Sequence, residues 1–490
     1  VGEIASWGVI FLFIALVVVR TTATQLLTRD EKMDDMAFRT TCQMTLGLHL
    51  GVHALLGNTA PAAPGGAATP MSNMDTQLLD QLDRAAQTPG ERFRVAIMVG
   101  ELVGPEQALE RMKTLANESP DLRQDVETAT ELYGGQAVAP GTWAAFQKKY
   151  GWFADLLASA RKPPDDAGRI AALSPGYRIL VALAALVVCV GPLILAGMIL
   201  LIIGIVQMAR GRIKLAFSPD EDPKFVKPVP AFPVVSADAT MEMPTPDATY
   251  VSTPVRADRR SYLFGFALYL GTMLGASLML GLILRLIFQL KLGASISMIA
   301  SLVVTCLAFV LGVGLPLLLG QSFGQWREAL GLHRGRGIWR EIGSGILGYV
   351  AGLPVLAAGI VIVSILSQLS GLKASHPIND ELNGSGVELF AVFFLACVMA
   401  PITEELMFRG ALFAHLRERF GWWISAPAAA FVFAIIHPQG WVALPALGAL
   451  ALVFAGIREW RGSIIGCMTA HALHNGLTLA YAIMLLRQGQ

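Results

Sequence analysis

Charge is scarce in this sequence: only 15% of its 490 residues are Asp, Glu, Lys or Arg, and these nearly cancel, to a formal net charge of +1. Nucleic-acid binding, which leaves a basic stripe and a strongly positive balance, is set aside. Cysteine is scarcer still. Of five, Cys189, Cys306, Cys397 and Cys467 lie inside apolar runs and only Cys42 in a more polar stretch, so there is neither a paired framework nor a CxxC zinc spacing. The chain also lacks a GxSxG elbow, a GxxxxGK[ST] phosphate loop and an HExxH pair, which removes the common serine-hydrolase, nucleotide and zincin readings.

What the sequence has in quantity is apolar surface. Hydrophobic residues make up 54% of it, and several uninterrupted runs reach about 20 residues, the length a helix needs to cross a hydrocarbon core. The expectation is an all-α fold: a polytopic membrane helical bundle of about nine spans, with a small α-helical soluble domain inserted. The lipid bilayer is its first partner.

Residues 1–20 form an apolar run that reads as a retained anchor, because no basic segment precedes it and no A-x-A site follows. Residues 21–176 are mostly polar, with a Pro/Ala/Gly-rich linker from Asn58 to Pro70 and an apolar stretch, Met44 to Leu56, too short to span. Gly104-Pro105 and Ser119-Pro120 each place a proline at a first helical position, and Thr142 is placed to cap a helix over Trp143 to Ala160. Residues 177–208 read as a transmembrane helix. Residues 209–260, with prolines from Pro219 to Pro254, read as a flexible linker, and 261–490 as the membrane core. Within that core, spans are expected at Tyr262 to Leu284, Ser295 to Leu319, Ile342 to Leu369, Val387 to Thr403, Trp423 to His437, Trp441 to Ile457 and Ser463 to Leu486.

Lys and Arg in short loops stay cytoplasmic. With nine alternating spans, Arg210, Arg212, Lys214, Arg259, Arg260, Arg327, Arg334, Arg336, Arg340, Arg417, Arg419, Arg458 and Arg461 all fall on one side, which predicts a cytoplasmic N-terminus. The residues 21–176 and the acidic loop with Asp380, Glu381 and Glu388 then lie outside. Arg285 and Lys291 are the exceptions.

Ionisable groups reappear where they are most costly. Glu404, Glu405 and Arg409 follow an apolar run, and a charge at membrane depth costs roughly 2.5–3.5 kcal/mol on insertion scales. Glu405 and Arg409 are i, i+4 neighbours able to pair along one face, while Glu404 points about 100° away and stays available. Alone, the three also fit a solvated helix end. Phe433 and His437 share a face one turn apart, although a histidine before Pro438 alone reads as structural. His471, His474 and Asn475 sit within one apolar segment, where simple packing does not account for them.

Glu404-Glu-Leu-Met-Phe-Arg409 fits EExxxR, Phe433 to His437 fits FxxxH, and His471 to Asn475 fits HxxxN. In this order, on separate hydrophobic segments, they resemble the CAAX prenyl protease and bacteriocin-processing family of intramembrane proteases, over roughly Ala329 to Leu486. The resemblance implies a hydrolase acting on membrane-associated proteins or peptides. It implies Glu404 as the glutamate that activates water, His437 as the residue that helps hold that water, and His471 with Asn475 as the oxyanion site. Glu405 and Arg409 match its structural pair and Phe433 its packing aromatic. His474 is left unassigned. These roles suit the chemistry independently, since amide hydrolysis needs a base, donors for the oxyanion and a cavity that admits water.

No cofactor is expected on this reading. A divalent metal such as zinc is the mechanistic rival, held if present by Glu404, His437 and His471 in a two-His, one-carboxylate set. A different class also stays open: a non-proteolytic transporter or immunity-type protein using the same polar cluster as a relay or ligand site.

Overall fold

In a computed structural model of the chain, the described residues are 2–27, 31–55, 79–84, 86–213, 215, 259–283, 294–370 and 386–488. The expected linker at 58–70, most of that expected at 209–260 (214 and 216–258), and the loop positions Arg285, Lys291, Asp380 and Glu381 lie outside them. All regular structure among the described residues is helical. The chain divides into two compact units, one of Val1–Leu27 with Pro192–Ala480 and one of Thr28–Gly191 with Tyr481–Gln490.

The second unit is a helical cluster of α2 (Glu31–Leu55), α3 (Pro89–Leu102), α4 (Pro105–Glu118), α5 (Arg123–Gly134), α6 (Pro140–Tyr150), α7 (Trp152–Ser159) and the start of α8 (Ala167–Ala209). The short apolar stretch read at Met44 to Leu56 belongs, as far as Leu55, to α2, which buries Phe38, Cys42, Leu46 and Leu50 in the core of this unit beside Phe93 and Phe153. Starts follow local chemistry. Thr88 and Glu91 form a reciprocal capping box on α3, and Pro105 occupies the first turn of α4, where its missing N–H costs nothing.

The expected cap at Thr142 is corrected. Pro140 starts α6 two residues earlier, so Thr142 lies inside the helix. Gly151 then breaks the expected 143–160 helix in two, with φ of +54°, a conformation that disfavours any residue with a Cβ.

One interaction joins α3 to α8, and a second holds the start of α8. Arg169 donates to both carboxylate oxygens of Glu101, at 2.8 and 2.5 Å, and both side chains are buried. Asp166, just before α8, accepts from the backbone N–H groups of Gly168 and Arg169 at 2.8 and 3.0 Å, satisfying donors that a helix start leaves free.

The first unit contains α1 (Gly2–Leu27), the end of α8, α9 (Arg260–Ile283), α10 (Ala294–Leu318), α11 (Phe323–Leu330), α12 (Ile338–Ser370), a composite helix α13 from Gly386 to Arg417, α14 (Trp422–Ile435), α15 (Leu444–Arg461) and, as far as Ala480, α16 (Ile465–Gln488). Helices thus occur at all nine expected spans. Among the described residues, five segments are long and apolar enough to cross a membrane: Gly2–Val19, Val187–Ala209, Ile338–Ser370, Glu388–Arg417 and Trp441–Arg461. Leu302–Leu318 and Trp422–Ile435 are shorter apolar helices. Val187, Val188, Ile202 and Ile203 remain exposed along α8, a surface suited to lipid rather than water. The protein is an integral membrane protein with a helical bundle.

One end of this bundle is tied by ion pairs. Arg419 and Arg260 both meet Glu3, at 3.0 and 3.1 Å. Arg417 holds Glu459 through two bonds of 2.9 and 2.8 Å, and Arg461 holds the fully buried Glu341 through two of 2.9 and 2.6 Å. Gly331 ends α11 with φ of +77°, and a Cβ there would meet the Arg458 guanidinium at 2.5 Å. Glycine is therefore required for both conformation and space.

Glu101→Gln is expected to destabilise the helical unit by roughly 3–5 kcal/mol, because it leaves the Arg169 charge buried without its counter-charge; thermal unfolding with limited proteolysis of the full chain measures it. The Asp166 carboxyl is held below its ordinary range, chiefly by the Arg169 N–H and further by Lys162. Its contribution is then complete above about pH 4, the unfolded value, and is lost as pH falls through the lower folded value. The difference in melting temperature between the native chain and Asp166→Asn is expected to shrink only on acidification below that range.

Candidate active site

The composite helix α13 carries the first motif, and its backbone is irregular before the motif and through its second half. Leu395–Met399 and Leu406–Leu412 are π-helical, with an α-helical turn, Ala400–Glu405, between them. Pro401 accounts for part of the first irregularity. The Ala400 N–H bonds back to the Leu395 carbonyl, five residues away, and Pro401 has no N–H to offer. The Ala396 carbonyl therefore loses its helical donors. Asn475 on α16 supplies one instead, its Nδ2 donating to Ala396 O at 2.7 Å. Thr403 adds a further local bond, Oγ1 to Met399 O at 2.9 Å.

Glu405 is fully buried and lies between two partners on one oxygen. Arg409 Nη1 donates to Glu405 Oε1 at 3.0 Å, and His471 Nδ1 lies 2.8 Å from the same atom. The pairing expected along the helix is present, with a histidine from α16 added to it. Arg409 is further enclosed by aromatic faces, its guanidinium carbon 4.6 Å from the Phe433 ring centre and 5.1 Å from that of Phe454, a cation–π arrangement that helps hold a buried charge. Its Nη2 donates to Ala451 O at 3.3 Å. Arg458 Nε donates to the Arg409 carbonyl at 3.4 Å.

Glu404 points elsewhere. Its Oε2 is buried without a hydrogen-bond partner, and two imidazoles face that atom: His437 Nε2 at 3.7 Å and His471 Nε2 at 3.9 Å. His437 lies just past α14, which ends at Ile435 rather than at His437 as expected, because Pro438 follows and disfavours helical conformation before it. The ring turns back so that His437 Nδ1 is 2.5 Å from Phe433 O, and it rests 4.3 Å from the Phe433 ring.

These contacts assign the ring hydrogens. A carbonyl and a carboxylate accept, so His437 Nδ1 donates to Phe433 and His471 Nδ1 donates to Glu405. In neutral rings both Nε2 atoms are then lone pairs directed at a carboxylate oxygen. Two acceptor nitrogens face a carboxylate oxygen at separations too long for direct bonds, an arrangement that a hydrogen-carrying guest such as water would complement.

A tetrahedral zinc with bonds of about 2.0–2.1 Å sets its donor atoms about 3.4 Å apart. The 3.7 and 3.9 Å separations exceed that, and among the described residues no group of three or more His, Cys, Asp or Glu side chains is arranged to hold a metal ion. Glu404, His437 and His471 do not fit zinc in this geometry.

Of the residues selected from sequence, Glu404, Glu405, Arg409, Phe433, His437 and His471 meet in one cluster. Asn475 is on the same helix face as His471 but is tied to the backbone of α13. Phe454, Ala451 and Arg458 around Arg409, and Tyr349 against His474, were not selected. Residues 386–477, which contain all three motifs, match the family model Rce1-like, described as type II CAAX prenyl endopeptidase Rce1-like. This segment is similar to the Rce1-like family. That agrees with the CAAX prenyl protease and bacteriocin-processing resemblance, and at family level it supports a protease, a hydrolase acting on protein or peptide within a membrane. No curated protein and no solved structure matches the chain.

Arg409→Leu is expected to lower stability by roughly 3–5 kcal/mol by stranding the buried Glu405 charge, whereas Glu404→Gln, which breaks no direct bond, leaves the melting temperature near native. Paired thermal unfolding of the two variants in detergent separates these outcomes.

Proposed function

We propose that the protein is an intramembrane endopeptidase in which Glu404 activates water against a peptide bond of a membrane-associated protein or peptide, without a metal. The observation that carries this reading is the unpartnered Glu404 Oε2 facing the Nε2 atoms of His437 and His471.

A water between Glu404 and His437 gives one proton to the Glu404 carboxylate while its oxygen attacks the carbonyl carbon. The tetrahedral oxyanion collapses as the C–N bond breaks, and the proton on Glu404 passes to the leaving nitrogen. The products are one carboxylic acid and one amine, and Glu404 returns to its starting state. His437 holds the water through Nε2, its ring fixed by the Phe433 carbonyl.

The oxyanion donors are Asn475 and His471. Asn475 spends one amide hydrogen on Ala396 and retains the other. His471 donates from Nε2 only when its ring carries a second proton, with Glu405 as the adjacent counter-charge. Because Glu405 is committed to Arg409 and His471, the base is Glu404.

The cytoplasmic N-terminus belongs to the same reading. Glu3, at the start of α1, contacts Arg419 and Arg260, so this helix begins at the arginine-rich end of the bundle, the end that remains cytoplasmic.

Proteoliposomes or cells carrying the native chain or Glu404→Gln, with and without chelator, test the proposal through fragments released from membrane-anchored proteins. Fragment release is expected to vanish in Glu404→Gln and to persist with chelator. Loss with chelator overturns the metal-free mechanism, and release that nowhere depends on Glu404 overturns the peptidase and returns the transporter or immunity-type reading. Asn475→Ala is expected to reduce turnover by roughly 10²–10³-fold, the usual effect of removing an oxyanion donor, measured on the same substrate.

A further inference from the structure

His474 has no part in the chemistry above, yet it is held as specifically as its neighbours. Its Nδ1 lies 3.1 Å from the hydroxyl of Tyr349 on α12, and the two rings meet edge to face at 5.9 Å. Three polar side chains of α16 therefore engage two other helices: His471 binds Glu405, Asn475 binds Ala396, and His474 binds Tyr349. The first two contacts lie on α13, and the third comes from a different helix.

The same pair of helices touches at a second point. A Cβ on Gly345 would meet the Gly466 carbonyl oxygen at 2.4 Å and Thr469 Cβ at 2.9 Å, so α12 and α16 meet there backbone to backbone. The His474 contact lies eight residues along α16, roughly 12 Å at the helical rise. A close contact at one point fixes separation, and a hydrogen bond at another fixes rotation. An atom about 6 Å from a helix axis moves about 1 Å when the helix turns by roughly 10°, and a displacement of about 1 Å costs on the order of 100-fold in rate.

We propose that Tyr349 and His474 are a positioning pair for the hydrolysis: their hydrogen bond fixes the rotation of α16 and thereby aims His471 and Asn475 at the reacting centre. The proposal rests on the peptidase reading for its catalytic consequence, while its structural content is testable separately. A Cβ at position 476 would lie 3.7 Å from Cys397 Sγ, so Gly476→Cys in a chain whose only other cysteine is Cys397 reports the rotation of α16 against α13 through the rate of disulfide formation.

The experiment uses the full chain in proteoliposomes with a cleaved single-span substrate, comparing Tyr349→Phe, His474→Leu, His474→Gln and the Tyr349→Phe/His474→Leu double variant. Tyr349→Phe and His474→Leu are each expected to lower kcat about tenfold with KM within about twofold of native. The double variant should be no worse than the weaker single, and His474→Gln, which retains a hydrogen-bonding side chain, should recover most of kcat. Cross-linking at 476 should slow in both single variants, also when Glu404→Gln is present. Native kcat and cross-linking in Tyr349→Phe, or single effects that multiply in the double variant, overturn the pair. The cross-link is read without proteolysis, so absence of Glu404-dependent cleavage overturns the peptidase and is a separate result from an unchanged cross-link rate.

Discussion

The site depends on how one buried positive charge is kept in an apolar bundle. Arg409 has almost no contact with solvent, and an unpaired guanidinium there would be costly enough to reshape its surroundings. Glu405 supplies the counter-charge, Phe433 and Phe454 supply ring faces, and Ala451 supplies a carbonyl. These partners come from α13, α14 and α15, so neutralising one charge brings three helices into register. His471 adds a fourth helix by bonding the same oxygen of Glu405. The arrangement that meets the electrostatic demand also sets an imidazole beside Glu404.

The π-helical stretches extend this coupling to the backbone. A wider turn leaves carbonyls without their usual donors, which is tolerated in a membrane only when something else supplies the hydrogen bond. Asn475 serves Ala396 and Arg458 serves Arg409. Each irregularity is thus paired with a polar side chain from a helix distant in sequence, and each such bond positions part of the site. Pro401 begins the series by withholding one N–H.

Sequence patterning located the helices of the bundle because hydropathy and length are local properties. Residues Glu404, His437 and His471 were also recognisable, since charged or polar groups in apolar segments need a reason to be there. The i, i+4 relation further anticipated Glu405 with Arg409. Other features depend on contacts across the fold: the bond from His471 to Glu405, the support of Ala396 by Asn475, the aromatic enclosure of Arg409, and Tyr349 opposite His474. Arginines that mark loops by their charge also proved to be paired, as Arg417 is with Glu459 and Arg461 with Glu341. The misplaced cap at Thr142 has a local cause, because Pro140 fits a first helical turn better and Gly151 supplies the positive φ that ends the helix.

Adjacent carboxylates in a dry region ordinarily compete, yet Glu404 and Glu405 are separated by environment. Glu405 is closed on Arg409 and His471, with no exposure to exchange a proton with a guest. Glu404 retains 23% side-chain exposure and directs an unpartnered oxygen at two Nε2 atoms. A step of about 100° between neighbouring helical residues is enough to give the two groups these different surroundings. One carboxylate holds the architecture because its Oε1 is bonded to Arg409 and His471, while its Oε2 stays enclosed, and the other faces two imidazoles without a direct bond to either. The proposed hydrolysis draws on the division between them: the charge that binds helices together also orients the histidine beside the free carboxylate.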